Sequence, residues 1–120
     1  FGADVRATQR SSVGTGKAMT AQLRARHPEV DVVVYSNDDM AVGGVFHCME
    51  NNLSMPGDLA IFGFNGLEIG RHLPQPLSTI LSNRFEIGRV AIEQVLASPA
   101  RPDTPVTIDT GFNIITGATA

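Results

Sequence analysis

The order of apolar and polar positions along the chain predicts helices that alternate with short strands. Apolar residues recur at helical spacing in three stretches, whereas runs that are apolar on both faces indicate buried strands. The predicted helices span about residues 12–26, 38–51 and 85–96. The predicted strands span residues 30–35, 59–64, 78–81, 106–108 and 112–115, and residues 66–76 have no regular pattern. This alternation predicts an α/β fold in which helices flank a parallel sheet.

Polar side chains follow the ends of three predicted strands. In an open parallel sheet, ligands bind beyond the carboxyl ends of the strands. Asn37 follows one predicted strand and Asn65 follows the next, so both amides are expected at one crevice. Ser82 and Arg84 come just after the third short strand and are expected to reach the same place.

Asn37-Asp38-Asp39 is the first polar cluster at this predicted crevice. One interpretation is a helix cap, because an Asn cap stabilises a helix by about 1 kcal/mol and Asp suits the first turn. The other interpretation is contact with a ligand, which capping does not exclude. A magnesium site is disfavoured, since no further oxygen ligands are placed beside the two carboxylates.

Two further candidates are the segment at the end of the second predicted strand and Arg84, which follows the third. In Gly63-Phe64-Asn65-Gly66 the glycines either permit a tight turn or let a ligand approach closely. In the second case Phe64 stacks on the ligand and Asn65 bonds to its hydroxyl groups. Arg84 stands at a helix start, where a cation is poorly placed. It either lies along the surface of its own helix or pairs with a ligand carboxylate.

Charge and composition limit the classes of function. The 120 residues carry nine Lys and Arg against twelve Asp and Glu, and the formal charge is −3. The basic residues between Lys17 and Arg26 are typical of a solvated helix face, so this segment is not expected to contact DNA. The single cysteine, Cys48, excludes an internal disulfide and is typical of a reducing compartment. No apolar run approaches the roughly 18 residues of a membrane span.

No catalytic or metal-binding pattern accompanies these candidates. His27, His47, Cys48 and His72 lack the spacing of metal ligands, and the chain has no nucleophile elbow. Gly14-Thr15-Gly16-Lys17 fails the phosphate-loop pattern, because the required earlier Gly and following Ser or Thr are missing. The sequence therefore predicts a ligand-binding module without a cofactor, and not an enzyme.

Three segments together resemble the LacI/GalR family of bacterial transcriptional regulators. Residues 33–43, Val-Val-Tyr-Ser-Asn-Asp-Asp-Met-Ala-Val-Gly, are similar to the family's strand-to-helix segment. Residues 55–65, Met-Pro-Gly-Asp-Leu-Ala-Ile-Phe-Gly-Phe-Asn, have its Pro-x-Asp spacing before an apolar strand. Residues 76–80, Pro-Leu-Ser-Thr-Ile, are similar to its Pro-x-Leu-Thr-Thr-Ile. Within the family, the chain resembles the gluconate-utilisation repressors in particular, in the Asn-Asp-Asp segment and at Arg84.

The resemblance implies a type I periplasmic-binding-protein-like fold with two subdomains and a ligand cleft between them. Residues 1–120 are then expected to form a partial effector-binding domain, mainly its C-terminal subdomain. Residues 84–97 are expected to form a helix that crosses to the N-terminal subdomain before the last strands return. The DNA-binding helix-turn-helix and most of the N-terminal subdomain are expected to lie outside this chain.

The resemblance also implies roles for individual residues. Asn37 matches a ligand contact, with Asp38 beside it in the helix cap, and Asn65 matches a position where many relatives carry an Asp. An Asp would repel an anionic ligand, whereas Arg84 would attract one. A sugar acid such as gluconate is therefore favoured over a neutral sugar. With the reasoning from strand ends, the predicted ligand-binding residues are Asn37, Asp38, Phe64, Asn65, Ser82 and Arg84.

Val42 and Leu73 match positions in the family's dimer interface, although both residues suit a core equally well. The resemblance implies a cytoplasmic homodimer that senses a small molecule, binds DNA only through the missing helix-turn-helix, and does not contact a membrane. The main alternative is a periplasmic sugar-binding protein for transport, which shares the fold and the cleft. A second alternative is an enzyme on a doubly wound sheet, with Asp38 and Asp39 as catalytic groups.

Overall fold

The structure, a computed structural model, describes residues 2–6, 8–97 and 106–120. In chain order the elements are α1 (Val13–Arg26), β1 (Val32–Val34), α2 (Asp38–Glu50), β2 (Ala60–Phe64), α3 (Glu68–Arg71), β3 (Ser78–Ser82), α4 (Arg84–Ala97) and β4 (Phe112–Ile115). The three long helices and four of the five predicted strands are confirmed, and their ends agree within two residues.

Side chains just before α1 and α2 explain where these helices begin. Ser12 is the N-cap of α1, and its hydroxyl accepts a hydrogen bond from the Thr15 amide at 3.0 Å. Asn37 is the N-cap of α2, and its Oδ1 accepts from the Met40 amide at 3.0 Å. Each cap satisfies an amide that has no partner inside the helix.

The strands form one sheet in the order β1-β2-β3-β4. The first three strands are parallel, with Val34 opposite Phe62 and Phe64 opposite Ile80, whereas β4 runs antiparallel to β3. The predicted α/β fold, with a mainly parallel sheet flanked by helices, is confirmed. Because β1, β2 and β3 are parallel, their carboxyl ends meet at one edge of the sheet.

The core lies between one face of the sheet and α2. It is formed by Tyr35, Met40, Ala41, Val45, Cys48, Met55, Leu59, Ile61 and Leu77. The α1 helix packs closely on α2 at two glycines. A Cβ at Gly16 would overlap the Met40 carbonyl oxygen, and a Cβ at Gly43 would overlap the Val13 carbonyl oxygen. The two helices therefore approach to a distance that only glycine permits at these positions.

Two segments differ from the sequence prediction. The strand predicted at residues 106–108 is wrong, since these residues are exposed and have no strand assignment. A β-branched run forms a strand only where another strand can pair with it, and β4 pairs with β3 only over Phe112–Ile115. The short α3 was not predicted, because the four residues of Glu68–Arg71 are too few to show a helical period.

The second face of the sheet is open. Val32 and Val34 of β1 are 51% and 60% exposed, whereas Val33 between them packs on the core. Strand pairing places Phe112 and Ile114 of β4 on the same open face, and they are 64% and 63% exposed. The prediction that β1 is buried on both faces is therefore wrong for the described residues: helices cover only the face that carries Val33.

The last residues of the chain pack against the amino-terminal ends of β2 and β3. Thr119 is fully buried, and its hydroxyl donates to the Ile61 carbonyl oxygen at 2.7 Å. The same hydroxyl accepts a hydrogen bond from the Ser78 amide at 3.0 Å. These bonds link the tail to two neighbouring strands at the end of the sheet opposite the predicted crevice.

Candidate functional site

The candidate site is the edge where β1, β2 and β3 end. Val34 of β1 lies opposite Phe62 of β2. Asn37 and Asn65 each come three residues after this pair, so they leave the two neighbouring strands at the same height in the sheet. The Asn65 amide donates to the Ile80 carbonyl oxygen at 2.8 Å, which continues the pairing of β2 with β3. The topology therefore brings Asn37 and Asn65 to one edge, as predicted from the strand pattern.

Asn37 combines helix capping with an amide group that can still donate. Its Oδ1 is engaged by the Met40 amide, and the residue is half-buried. Its Nδ2 makes no hydrogen bond to any residue that the structure describes. The capping interpretation is confirmed, and the amide nitrogen remains available to a ligand oxygen.

Phe64 and Asn65 lie at a sharp turn after β2. Asn65 has φ 107° and Gly66 has φ 66°, so the chain turns through the left-handed region at both residues. A Cβ at Gly66 would also lie 2.5 Å from Leu81 Cδ1, so a larger residue would force the Leu81 side chain to shift, and the positive φ itself favours glycine. The tight-turn interpretation is confirmed. Phe64 is 38% exposed and Asn65 is half-buried, so both side chains remain accessible at the edge.

Ser82 and Arg84 lie where β3 passes into α4. Ser82 is the last residue of β3, half-buried and opposite Phe112 of β4. Asn83 supports the start of α4, since its Oδ1 accepts from the Glu86 amide at 3.3 Å. Arg84 is exposed, and its guanidinium has no hydrogen bond or ion pair with another described residue. It is therefore accessible to an anion at the end of β3.

Asp38 does not fit the predicted role of ligand contact. The residue is fully buried, its Oδ1 accepts from the Thr79 hydroxyl at 2.6 Å, and its Oδ2 accepts from the Leu67 amide at 2.5 Å. Both carboxylate oxygens are thus engaged inside the protein. Asp39 is exposed beside it. One carboxylate is buried and hydrogen-bonded while the other is exposed, which does not fit the pair of catalytic groups that the enzyme alternative required.

Thr79 and Leu67 are the residues that sequence reasoning missed. Thr79 is 4% exposed on β3, in the Pro-Leu-Ser-Thr-Ile segment, and Leu67 lies in the irregular stretch after β2. A buried hydroxyl on a strand requires a hydrogen-bond partner, and this requirement was the available signal. The identity of the partner depends on contacts between residues 41 positions apart in the chain.

The two residues predicted for a dimer interface differ in the structure. Val42 is fully buried in α2, so the interface prediction is wrong for its side chain, which belongs to the core. All residues from Met40 to Val45 are buried, because α1 packs on one side of α2 and the core lies on the other. Leu73 is half-buried and packs against the core cluster. Its part in an interface remains a prediction.

Two buried residues of the core, Tyr35 and Cys48, have raised pKa values. Burial raises the pKa of Tyr35 to about 12, although its hydrogen bond to Thr20 acts in the opposite direction. Burial also raises the pKa of the Cys48 thiol. Within the described ranges, His, Cys, Asp and Glu form no cluster of three or more that could hold a metal ion. No helix in the described part of the chain has the length and hydrophobicity to cross a bilayer.

Known proteins identify the family. A model for a periplasmic binding protein-like domain matches residues 2–119. The HTH-type transcriptional regulator IdnR of Escherichia coli (strain K12) is 36% identical over 110 residues, which are 91% of this chain and 33% of that protein. The lactose operon repressor of Rhizobium radiobacter is 37% identical over 79 residues, 66% of this chain and 70% of that protein. The chain belongs to the LacI/GalR family.

Solved structures of LacI/GalR regulators have the same fold. The transcription regulator GntR from Chromobacterium violaceum superposes with a TM-score of 0.80 at 29% identity, over 92% of this chain and 41% of that chain. A LacI family regulator from Silicibacter pomeroyi superposes with a TM-score of 0.73 at 34% identity, over 93% of this chain and 34% of that chain. The present chain spans about a third of the length of the first curated relatives that it matches.

Proposed function

We propose that this chain is the effector-binding part of a LacI/GalR transcriptional regulator and that its effector is a sugar acid. The relatives are named as transcriptional regulators, which favours this function over transport and over catalysis. IdnR and GntR of Escherichia coli, each 36% identical to the chain, agree with the resemblance to gluconate-utilisation repressors. Gluconate is therefore the effector that we propose to test.

The distribution of charge at the strand ends carries the sugar-acid proposal. Arg84 is exposed and without a partner in the described residues, whereas the Asp38 carboxylate is buried and hydrogen-bonded. Asn65 is neutral, whereas the resemblance to the family implies an Asp at this position in many members. Asp39 is exposed in the first turn of α2, where the helix dipole offsets its charge. A ligand carboxylate at this edge would meet a guanidinium, and its hydroxyl groups would meet amides.

The exposure of α4 supports a second subdomain on the other side of the ligand. None of the residues of Arg84–Ala97 is buried. Phe85, Val95 and Leu96 are 84%, 71% and 77% exposed, which is unusual for large apolar side chains on one helix. We propose that α4 crosses to an N-terminal subdomain, and that the effector binds in the cleft between this subdomain and the strand ends.

The proposed mechanism is a shift in population between cleft conformations. The effector can change their balance only through its different affinities for the two states. In a cytoplasmic homodimer, the favoured cleft angle would be transmitted to N-terminal helix-turn-helix domains that bind DNA. Leu73 remains the proposed dimer contact, because its half-buried side chain is still partly accessible.

Calorimetric titration of the full-length protein with gluconate and with ribose tests the effector class. We expect gluconate to bind, and Arg84→Ala to weaken its binding by about tenfold or more, as for loss of a charge-assisted hydrogen bond. Arg89→Ala is the matched control, since Arg89 lies on the same helix but is paired with Glu86 and Glu93. It should leave the affinity unchanged. Binding of ribose alone would refute the sugar-acid proposal and revive the transport alternative.

Asn65→Asp tests whether a negative charge at residue 65 weakens the binding of an anionic ligand. A carboxylate about 4 Å from an anionic ligand adds about 1–4 kcal/mol of repulsion, depending on solvent exposure. Gluconate affinity should therefore fall by about fivefold or more, while the affinity for a neutral sugar alcohol of the same length should not fall for this reason. Equal changes for both ligands would show that charge is not the cause.

A further inference from the structure

Asp38 joins three elements behind the candidate site. It is the first residue of α2, directly after the cap Asn37, and it is fully buried. Its Oδ1 accepts a hydrogen bond from Thr79 on β3, and its Oδ2 accepts one from the amide of Leu67, in the loop after β2. A carboxylate with hydrogen bonds to two separate segments fixes the distance between them.

The chain makes room for this carboxylate at Gly63. A Cβ added to Gly63 would overlap Asp38 Oδ1 and would lie 3.2 Å from Asp38 Cγ. Gly63 has no positive φ, so its backbone conformation does not require glycine. Space for Asp38 is therefore a physical reason for glycine in the middle of β2, where this residue otherwise weakens a strand.

We infer that Asp38 is a positioning residue that holds the loop after β2, which begins with Asn65, against the helix start that carries Asn37. The loop is held at both ends: the Asn65 amide bonds to Ile80 on β3, and the Leu67 amide bonds to Asp38. The left-handed Asn65 and Gly66 lie between these two bonds. For ligand affinity the inference rests on the proposed function, whereas the placement of the loop does not.

Hydrogen exchange of the full-length protein tests the placement of the loop without a ligand. Asp38→Asn removes one acceptor, and Thr79→Val removes the hydroxyl donor at nearly constant side-chain volume. We expect both variants to accelerate amide exchange in peptides that cover residues 64–70 by about tenfold. Thr79→Ser keeps the hydroxyl and should restore slow exchange. If amides of residues 64–70 exchange at the wild-type rate in Thr79→Val, the inference is overturned, even if Asp38→Asn fails to fold.

Thr119→Val is the matched control for general destabilisation. Thr119 is also a buried threonine between β2 and β3, but its hydroxyl bonds to Ile61 and Ser78 instead of Asp38. It should lower stability without accelerating exchange at residues 64–70 selectively. If Thr119→Val accelerates this segment as much as Thr79→Val does, the effect is not positional and the inference is wrong.

Titration with gluconate tests the consequence for binding. We expect Thr79→Val to weaken the binding of gluconate by about tenfold, which corresponds to about 1.4 kcal/mol. Thr79→Ser and Thr119→Val should bind gluconate with the wild-type affinity. Wild-type affinity in Thr79→Val would overturn the link to the ligand. If the wild-type protein itself does not bind gluconate, the proposed effector is wrong, and hydrogen exchange alone decides whether Asp38 positions the loop.

Discussion

The contact between α1 and α2 predicts opposite outcomes for two glycines on the same helix. Gly16→Ala would place a methyl group 2.5 Å from Met40 Cα, and closer still to the Met40 carbonyl oxygen. Ordinary carbon contacts are about 3.5–4.0 Å, so the helices would have to separate by about 1 Å. Overpacking costs about 1–3 kcal/mol, and the helix propensity of Ala returns at most about 1 kcal/mol. The overlapped atoms belong to the Met40 backbone and cannot rotate away, so we take the upper part of the overpacking range, about 2–3 kcal/mol, and expect a net loss of about 1–2 kcal/mol after the gain in helix propensity.

Gly14→Ala supplies the control for this substitution. A Cβ at Gly14 would meet only the Ser12 hydroxyl oxygen, at 3.9 Å, so the variant should be as stable as the wild type or slightly more so. Urea denaturation of the full-length protein, followed by circular dichroism, measures the difference. The slope of stability against urea increases with protein size, so at about 3 kcal/mol/M a loss of about 1–2 kcal/mol lowers the midpoint by roughly 0.3–0.7 M. A Gly16→Ala midpoint equal to or above that of Gly14→Ala would refute the close helix contact.

Two further predictions concern groups in the core. Tyr35 is the chain's single tyrosine, and because burial raises its pKa to about 12, the folded state keeps a proton that the unfolded state releases near pH 10. Stability of the chain should thus be lost as pH rises from about 10 to about 12, and phenolate absorbance that titrates near pH 10 in the folded chain would contradict this. The Cys48 thiol is fully buried with a raised pKa, so a thiol reagent should react slowly until urea unfolds the protein, and rapid native labelling would contradict its placement.

Local patterns predicted the elements well because each depends on a few neighbouring residues. Ser12 and Asn37 cap helices through amides three positions away, and the glycine after Asn65 marks a turn. The role of Asp38 could not be predicted in this way. Its position after Asn37 suits a helix start and a ligand contact equally, and only the approach of Leu67 and Thr79 shows that the carboxylate is buried.

Val42 was misassigned for a related reason. An apolar residue on an amphipathic helix suits a core and a subunit interface equally, so the sequence alone left the choice open. The structure decides it through burial, because a side chain without exposed surface cannot contact a partner subunit. Leu73 shares the apolar character of Val42 but keeps some exposed surface, so the same reasoning does not exclude it.

The open face of the sheet and the exposed α4 have one physical explanation. A β-branched run without polar positions, such as Val32–Val34, is typical of a strand covered on both faces, yet the described helices cover only one. Apolar side chains on α4 are likewise uncovered. IdnR and GntR of Escherichia coli are about three times as long as this chain. In a protein of that length, further segments can bury these surfaces, so the sequence pattern of β1 is better explained by a chain of that length than by the 120 residues alone.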